Sequence, residues 1–152
     1  MSPAVRSPLP GEAAPLDSVD DPVFAGGVVG PGLALRPPTG RRLDVLAPVT
    51  GTIVKTTPHA FVVRADDGAA VLVHLGIDTV ALRGQGFEAV ARQGERVDAG
   101  QVVCRWDPSG ALGSGLDVVS PVVVLEPVGA AIEPAIPIPS AIGAGDPLFT
   151  IV

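Results

Sequence analysis

Apolar residues in this chain fall into short runs broken by glycine, proline and acidic residues. From Asp21-Pro22 onward the runs are Val23–Val29, Leu33–Leu35, Leu43–Leu46, Thr52–Lys55, His59–Ala65 and Val71–His74. Gln101–Trp106, Val118–Leu125 and Leu148–Val152 follow. Nearly all have strand length, are rich in β-branched residues and end at turn formers, so they predict many short β-strands. Two stretches stand apart. Gln85–Arg92 has room for one or two helical turns, whereas Pro108–Leu116 carries too many glycines for a helix. Residues 1–18, rich in Pro, Ala and Ser, show no period and read as a flexible leader ahead of a single domain at 19–152.

The pattern also repeats weakly. Arg96–Val103 parallels Ala141–Leu148, each a tight Ala-Gly turn leading into a strand, and Ala47-Pro48-Val49 parallels Ser120-Pro121-Val122. Two related β-units packed face to face would bury what neither buries alone.

One predicted hairpin carries both histidines of the chain, His59 and His74. Asp66-Asp67-Gly68 separates the runs, and Asp-Gly between β-branched residues is a strong hairpin signal. With Asp67-Gly68 as a two-residue loop, His74 lies opposite Phe61, which shares a face with His59. The imidazoles are then diagonal neighbours, with Cβ atoms roughly 7–8 Å apart. A four-residue loop keeps that pairing, a loop of Asp66-Asp67 puts the rings directly opposite, and a three-residue loop sends them to opposite faces. Two neutral imidazoles converging on one spot can share a phosphate or a metal, or one can assist the other.

Composition narrows the context. The 152 residues, 47% apolar, suffice for one domain with a proper core, and 17 prolines with 19 glycines favour short strands over helices. A net charge of −6 gives no electrostatic footprint for nucleic acid. The single cysteine, Cys104, excludes an internal disulfide and sits in an alternating run as a small core residue. No apolar run reaches membrane-spanning length and the start lacks a signal-peptide core, so a soluble, cytoplasmic protein without direct membrane insertion is expected.

Several ordered segments then resemble one family. Val73-His74-Leu75-Gly76-Ile77-Asp78-Thr79-Val80 is similar to the phosphorylation-site segment of the glucose-class enzyme IIA domains of the bacterial sugar phosphotransferase system. The likeness extends to Asp21-Pro22-Val23-Phe24-Ala25, Ala47-Pro48-Val49-Thr50-Gly51 and Pro58-His59-Ala60-Phe61. It continues through Gly84–Phe87, Gly94–Gly100 and Gly145–Leu148, and so covers about residue 20 to 152. The resemblance implies an all-β fold, a β-sandwich of the barrel-sandwich hybrid type built from a duplicated motif with little helix.

It further implies a phosphotransferase whose His74 accepts a phosphoryl group on Nε2 from the phosphocarrier protein HPr. His74 would then pass the group to a cysteine of a IIB domain. His59 would stabilise the phosphoryl group and assist its donation, and Thr57 would orient His59. The carbonyl of Gly76 would fix the His74 tautomer, and Asp78 would tune the site from its rim. No cofactor is required; zinc held by His59 and His74, with further ligands from a regulated partner, is what some relatives use. No fused IIB or IIC sequence is present, so the chain is expected to act in trans.

Departures from the family pattern are specific. Val29-Gly30-Pro31-Gly32 lacks an acidic residue often found near the phosphohistidine, Pro58 replaces the asparagine of some relatives, and glycines replace the usual helix after Trp106-Asp107. Two other readings accompany the phosphocarrier. One is a regulatory docking module using the same surface. The other is a zinc hydrolase of related β fold, which would need a third ligand such as Asp78. The sugar itself is set mainly by the transmembrane partner and is not encoded here.

Overall fold

The computed structural model describes residues 4–152. Fourteen strands occur among them: β1 (Ala4–Arg6), β2 (Gly11–Pro15), β3 (Gly32–Arg36), β4 (Leu43–Leu46), β5 (Gly51–Thr57), β6 (Ala60–Ala65) and β7 (Ala70–His74) in the first half. The second half contributes β8 (Phe87–Ala89), β9 (Arg96–Val97), β10 (Val102–Trp106), β11 (Ser120–Glu126), β12 (Ile132–Pro134), β13 (Ser140–Ile142) and β14 (Pro147–Ile151). Two short helices, α1 (Pro22–Ala25) and α2 (Ser109–Gly113), and two 3-10 turns, Leu16–Ser18 and Thr79–Leu82, complete the set. The eight-stranded antiparallel sheet runs β13-β2-β3-β11-β7-β6-β5-β9, and two three-stranded sheets, β1-β14-β12 and β4-β10-β8, lie beside it. All three contribute to one core, with Val5, Leu9 and Phe149, Val45 and Trp106, and Val63, Val73 and Val122 among its fully buried members. The strands expected from the runs form, and so does the all-β sandwich that the resemblance implied.

The leader does not. Residues 1–3 lie outside the described residues, but from Ala4 onward the segment is built into the sheets. β1 pairs with β14 and β2 pairs with β3 and β13, while Val5, Leu9 and Ala13 are fully buried. The reason is the duplication. Ser7-Pro8 and Ala47-Pro48 take the same part in two halves of a reciprocal junction. Arg6 N–H donates to Pro48 O at 2.8 Å and Leu46 N–H donates to Pro8 O at 3.0 Å. Ser7 exchanges both backbone bonds with the Gly145-Asp146 turn, as Ala47 does with the Gly100-Gln101 turn, all at 2.8–2.9 Å. The two turns match as well. Gly100 (φ 90°) and Gly145 (φ 85°) take the left-handed position, and the Gln101 and Asp146 side chains accept from the N–H groups of Asp98 and Gly143. The partner of Ala47-Pro48-Val49 is therefore Ser7-Pro8-Leu9. Ser120-Pro121, the expected counterpart, lies in β11 of the large sheet.

Three local expectations also change. Val23–Val29 begins as α1, capped by Asp21, whose Oδ1 accepts from Val23 N–H at 2.9 Å, with Pro22 at the first helical position. Gln85–Arg92 yields strand β8, because Phe87 stacks on Trp106 at 5.8 Å and pairs into the β10 ladder. The glycine-rich 108–116 segment does make a helix, α2. Asp107 Oδ1 takes both the N–H and Oγ of Ser109, and Ala111 is buried.

Candidate functional site

The β6–β7 hairpin has a three-residue loop. Ala65 N–H donates to Ala69 O at 2.7 Å around Asp66-Asp67-Gly68, with Gly68 left-handed at φ 97°. His74 therefore pairs with Ala60, one residue away from the expected Phe61. By alternation along a strand, that register would send His59 and His74 to opposite faces. They meet nonetheless, with ring centroids 5.1 Å apart and planes at 76°. His59 is not in β6. Thr57 pairs with Ala60, so Pro58-His59 is the two-residue turn between β5 and β6, where side-chain alternation does not apply. Leu75 N–H donates to His59 O at 2.8 Å and ties that turn to the residue after His74.

The His74 ring also packs on Phe24, centroids 5.2 Å apart. Asp21 starts α1, and α1 carries Phe24 over the outer face of the large sheet. There Val19, Phe24, Ala34, Ile77, Val119 and Val123 form a second, smaller apolar cluster. His74 thus contacts both an aromatic ring and a second imidazole and is half-buried.

Nδ1 of His74 lies 2.6 Å from Gly76 O. A carbonyl can only accept, so Nδ1 carries the hydrogen and Nε2 presents its lone pair. Gly76 has φ 77°, and a Cβ at that position would meet Thr79 Cγ2 at 2.6 Å and Asp117 O at 2.9 Å. Thr57 Oγ1 donates to Ala60 O at 3.2 Å and stands 3.5 Å from His59 Nδ1, the outer limit of a hydrogen bond. With its hydrogen committed to Ala60, that hydroxyl can only accept from His59. Beside His59 a groove of about 300 Å³ opens, lined by Lys55, Val62, Leu72 and Leu125 among others.

Burial pushes His74 below the ordinary 6.5, and the Gly76 carbonyl, then the charges of Asp21 and Asp78, oppose it. His59 is also lowered, first by burial and then by proximity to His74. Both rings are accordingly neutral at neutral pH. Asp78 is exposed at the start of a single 3-10 turn, Thr79–Leu82, with left-handed φ 62° and no capping bond from its side chain. Its influence on His74 is through charge. Cys104 is buried, with its thiol pushed up to about 12 by burial, which leaves it inert at neutral pH.

Among the described residues, no third His, Cys, Asp or Glu joins the pair in a group able to hold a metal. Two ring nitrogens fall short of the three protein ligands of a catalytic zinc site, so the hydrolase alternative lacks its donor set. Sequence reasoning missed Asp21, Phe24, Thr79 and Ser120. The Asp-Pro helix start was a readable signal for the first two, whereas nothing in the spacing marked the hydroxyls.

The family model for the phosphoenolpyruvate-dependent sugar phosphotransferase system, EIIA 1, matches residues 3–128. The chain belongs to this family. A glucose-specific EIIA component of Staphylococcus aureus is 35% identical over 123 residues, which cover 80% of this chain and 72% of that protein. The glucose-specific EIIBCA component of Corynebacterium glutamicum is 39% identical over 79% of this chain, and the N-acetylglucosamine-specific EIICBA component of Escherichia coli is 42% identical over 77%. In each of these multidomain relatives the matching region is only 18% of the whole. The structure of glucose permease IIA from Mycoplasma capricolum superposes with a TM-score of 0.87 at 31% identity, covering 99% of this chain and 96% of that one. An EIIA member is a component of a phosphotransferase. Among the described residues, no helix is long and apolar enough to cross a membrane.

Proposed function

We propose that this EIIA domain is the cytoplasmic phosphoryl carrier of a sugar uptake system, with His74 Nε2 as the covalent acceptor. One observation supports this above all: the 2.6 Å contact from Nδ1 to Gly76 O, which leaves Nε2 as the nucleophile. In the first transfer, the Nε2 lone pair attacks the phosphorus of phospho-HPr. The P–N bond to HPr breaks, and the HPr imidazole leaves with the electron pair. In the second, a IIB cysteine thiolate attacks the same phosphorus and the Nε2 lone pair returns to His74. Little covalent work falls to the rest of the protein, so its role is in-line placement and charge stabilisation. His59, 5.1 Å away ring to ring, would contact a phosphoryl oxygen. The multidomain relatives, whose names join IIA to IIB and IIC, support a IIB partner. Any zinc drawn to His59 and His74 in a regulatory complex would take its remaining ligands from the docked protein.

The test is intact-mass spectrometry after incubation with phosphoenolpyruvate, enzyme I and HPr. Wild type is expected to gain one acid-labile phosphate, His59→Gln to retain that gain, and His74→Gln to lose it. No gain in wild type with active HPr, or a persistent gain in His74→Gln, overturns the assignment.

A further inference from the structure

Gly76 is held from both sides by groups that touch neither ring. Its own N–H donates to Ser120 Oγ at 3.2 Å, and Ser120 Oγ donates to Val118 O at 3.0 Å. The preceding carbonyl, Leu75 O, accepts from Thr79 Oγ1 at 2.6 Å. On the far side, Ile77 N–H donates to Asp117 O at 2.9 Å. Every polar group of the two peptide units flanking Gly76 Cα is therefore engaged, and the remaining one, Gly76 O, accepts from His74. Ser120 and Thr79 are two of the three fully buried polar side chains among the described residues. A buried hydroxyl is costly unless bonded, and neither contributes to the apolar core as a larger aliphatic residue would.

We infer that Ser120 and Thr79 are positioning residues for phosphoryl acceptance: together they clamp the left-handed Gly76 so that its carbonyl selects the Nδ1–H tautomer of His74. The inference rests on His74 being the acceptor. Free neutral imidazole has no protein-imposed choice between its two tautomers, and here the choice is imposed by one carbonyl whose direction depends on two hydroxyls contributed from different segments. β11 brings Ser120 from 46 residues downstream of His74, whereas Thr79 comes from the 3-10 turn directly after the loop. The site is thereby wired to the β7–β11 strand pair, Val73 opposite Val122, and not to its own loop alone.

The test uses the full chain labelled with 15N in its histidines, in wild type, Ser120→Ala, Ser120→Thr, Thr79→Val and Thr79→Ser. Ring-nitrogen shifts above the His74 titration report which nitrogen bears the hydrogen, with no phosphodonor needed. Wild type is expected to show His74 as the Nδ1–H form. Ser120→Ala and Thr79→Val are expected to populate the Nε2–H form and to accept phosphate from phospho-HPr about fivefold to tenfold more slowly, the scale of one neutral hydrogen bond. Their His74 midpoints should fall further, since the carbonyl that favours the charged ring is lost. Ser120→Thr and Thr79→Ser, which keep the hydroxyl, should restore both readouts. The near-ultraviolet signal of Trp106 monitors folding in each variant. Folded variants with the wild-type tautomer overturn the inference, even if acceptance slows, and so does an Nε2–H His74 in wild type. If wild type and all variants fail to take phosphate while the tautomer responds as stated, the acceptor role falls and the clamp stands.

Discussion

At the scale of single residues, the proposed carrier site depends on two imidazoles staying neutral and one carbonyl staying fixed. Both histidines titrate below the ordinary 6.5 because burial disfavours their charged forms. As the pH falls, the unfolded chain takes up these protons first, so stability rises with pH between the folded and unfolded values. The contribution is whole above 6.5 and is lost as the pH drops through that value toward the folded midpoints. Denaturant midpoints at about pH 7.5 and about pH 5.5 should therefore fall with acid in wild type and fall less in His59→Gln and His74→Gln. An equal acid loss in all three would rule out the histidines as its source. The same shift means phosphate acceptance should hold its plateau to a lower pH than a free imidazole would. Gly76→Ala tests the carbonyl: its Cβ would meet Thr79 and Asp117 atoms at 2.6 and 2.9 Å, in a backbone region costly for alanine. Destabilisation of about 1–3 kcal/mol, read by urea melts, and strongly slowed acceptance are expected.

At the scale of elements, the instructive case is the N-terminal segment. Its Pro-Ala-rich composition hides its role, because Val5, Leu9 and Ala13 fall four residues apart among prolines and lack the every-second-residue alternation of a strand. The Ser7-Pro8-Leu9 likeness to Ala47-Pro48-Val49 was readable in principle, but a Ser-Pro-Val triplet at 120–122 imitates it more closely. What separates them is partner geometry, the reciprocal bonds of Arg6 with Pro48 and Leu46 with Pro8, and no linear pattern contains that. The consequence is measurable. Leu9→Ala, at a fully buried position, should cost about 2–5 kcal/mol in urea unfolding, as for a core leucine. A mobile leader would give no change. The β6–β7 hairpin teaches a related point. Asp67-Gly68 correctly announced a turn, yet the loop took three residues, and the histidines met only because His59 stands in the neighbouring turn.

At the scale of the whole molecule, the family, the all-β class and the turns were readable, since each is carried by short contiguous segments such as Val73–Asp78. The supports of the histidine pair were not. Asp21 and Phe24 come to His74 from a helix start, and Ser120 comes to Gly76 from a distant strand, so their meeting is a property of the finished sandwich. The assembled surface also decides what the histidines do by themselves. They offer a metal two nitrogens and, among the described residues, no third ligand in a group with them. Phosphoryl transfer as proposed, by contrast, needs one free Nε2 and a neighbour to contact an oxygen, and would call for no metal ligand. Chelator should therefore leave the rate of phosphate acceptance and the melting temperature of the isolated chain unchanged. Calorimetric titration with zinc should give far weaker binding than a closed site of three or four ligands. Loss of acceptance on chelation, restored by zinc, would show that a metal belongs to the working site and that the carrier does not act through its imidazoles alone.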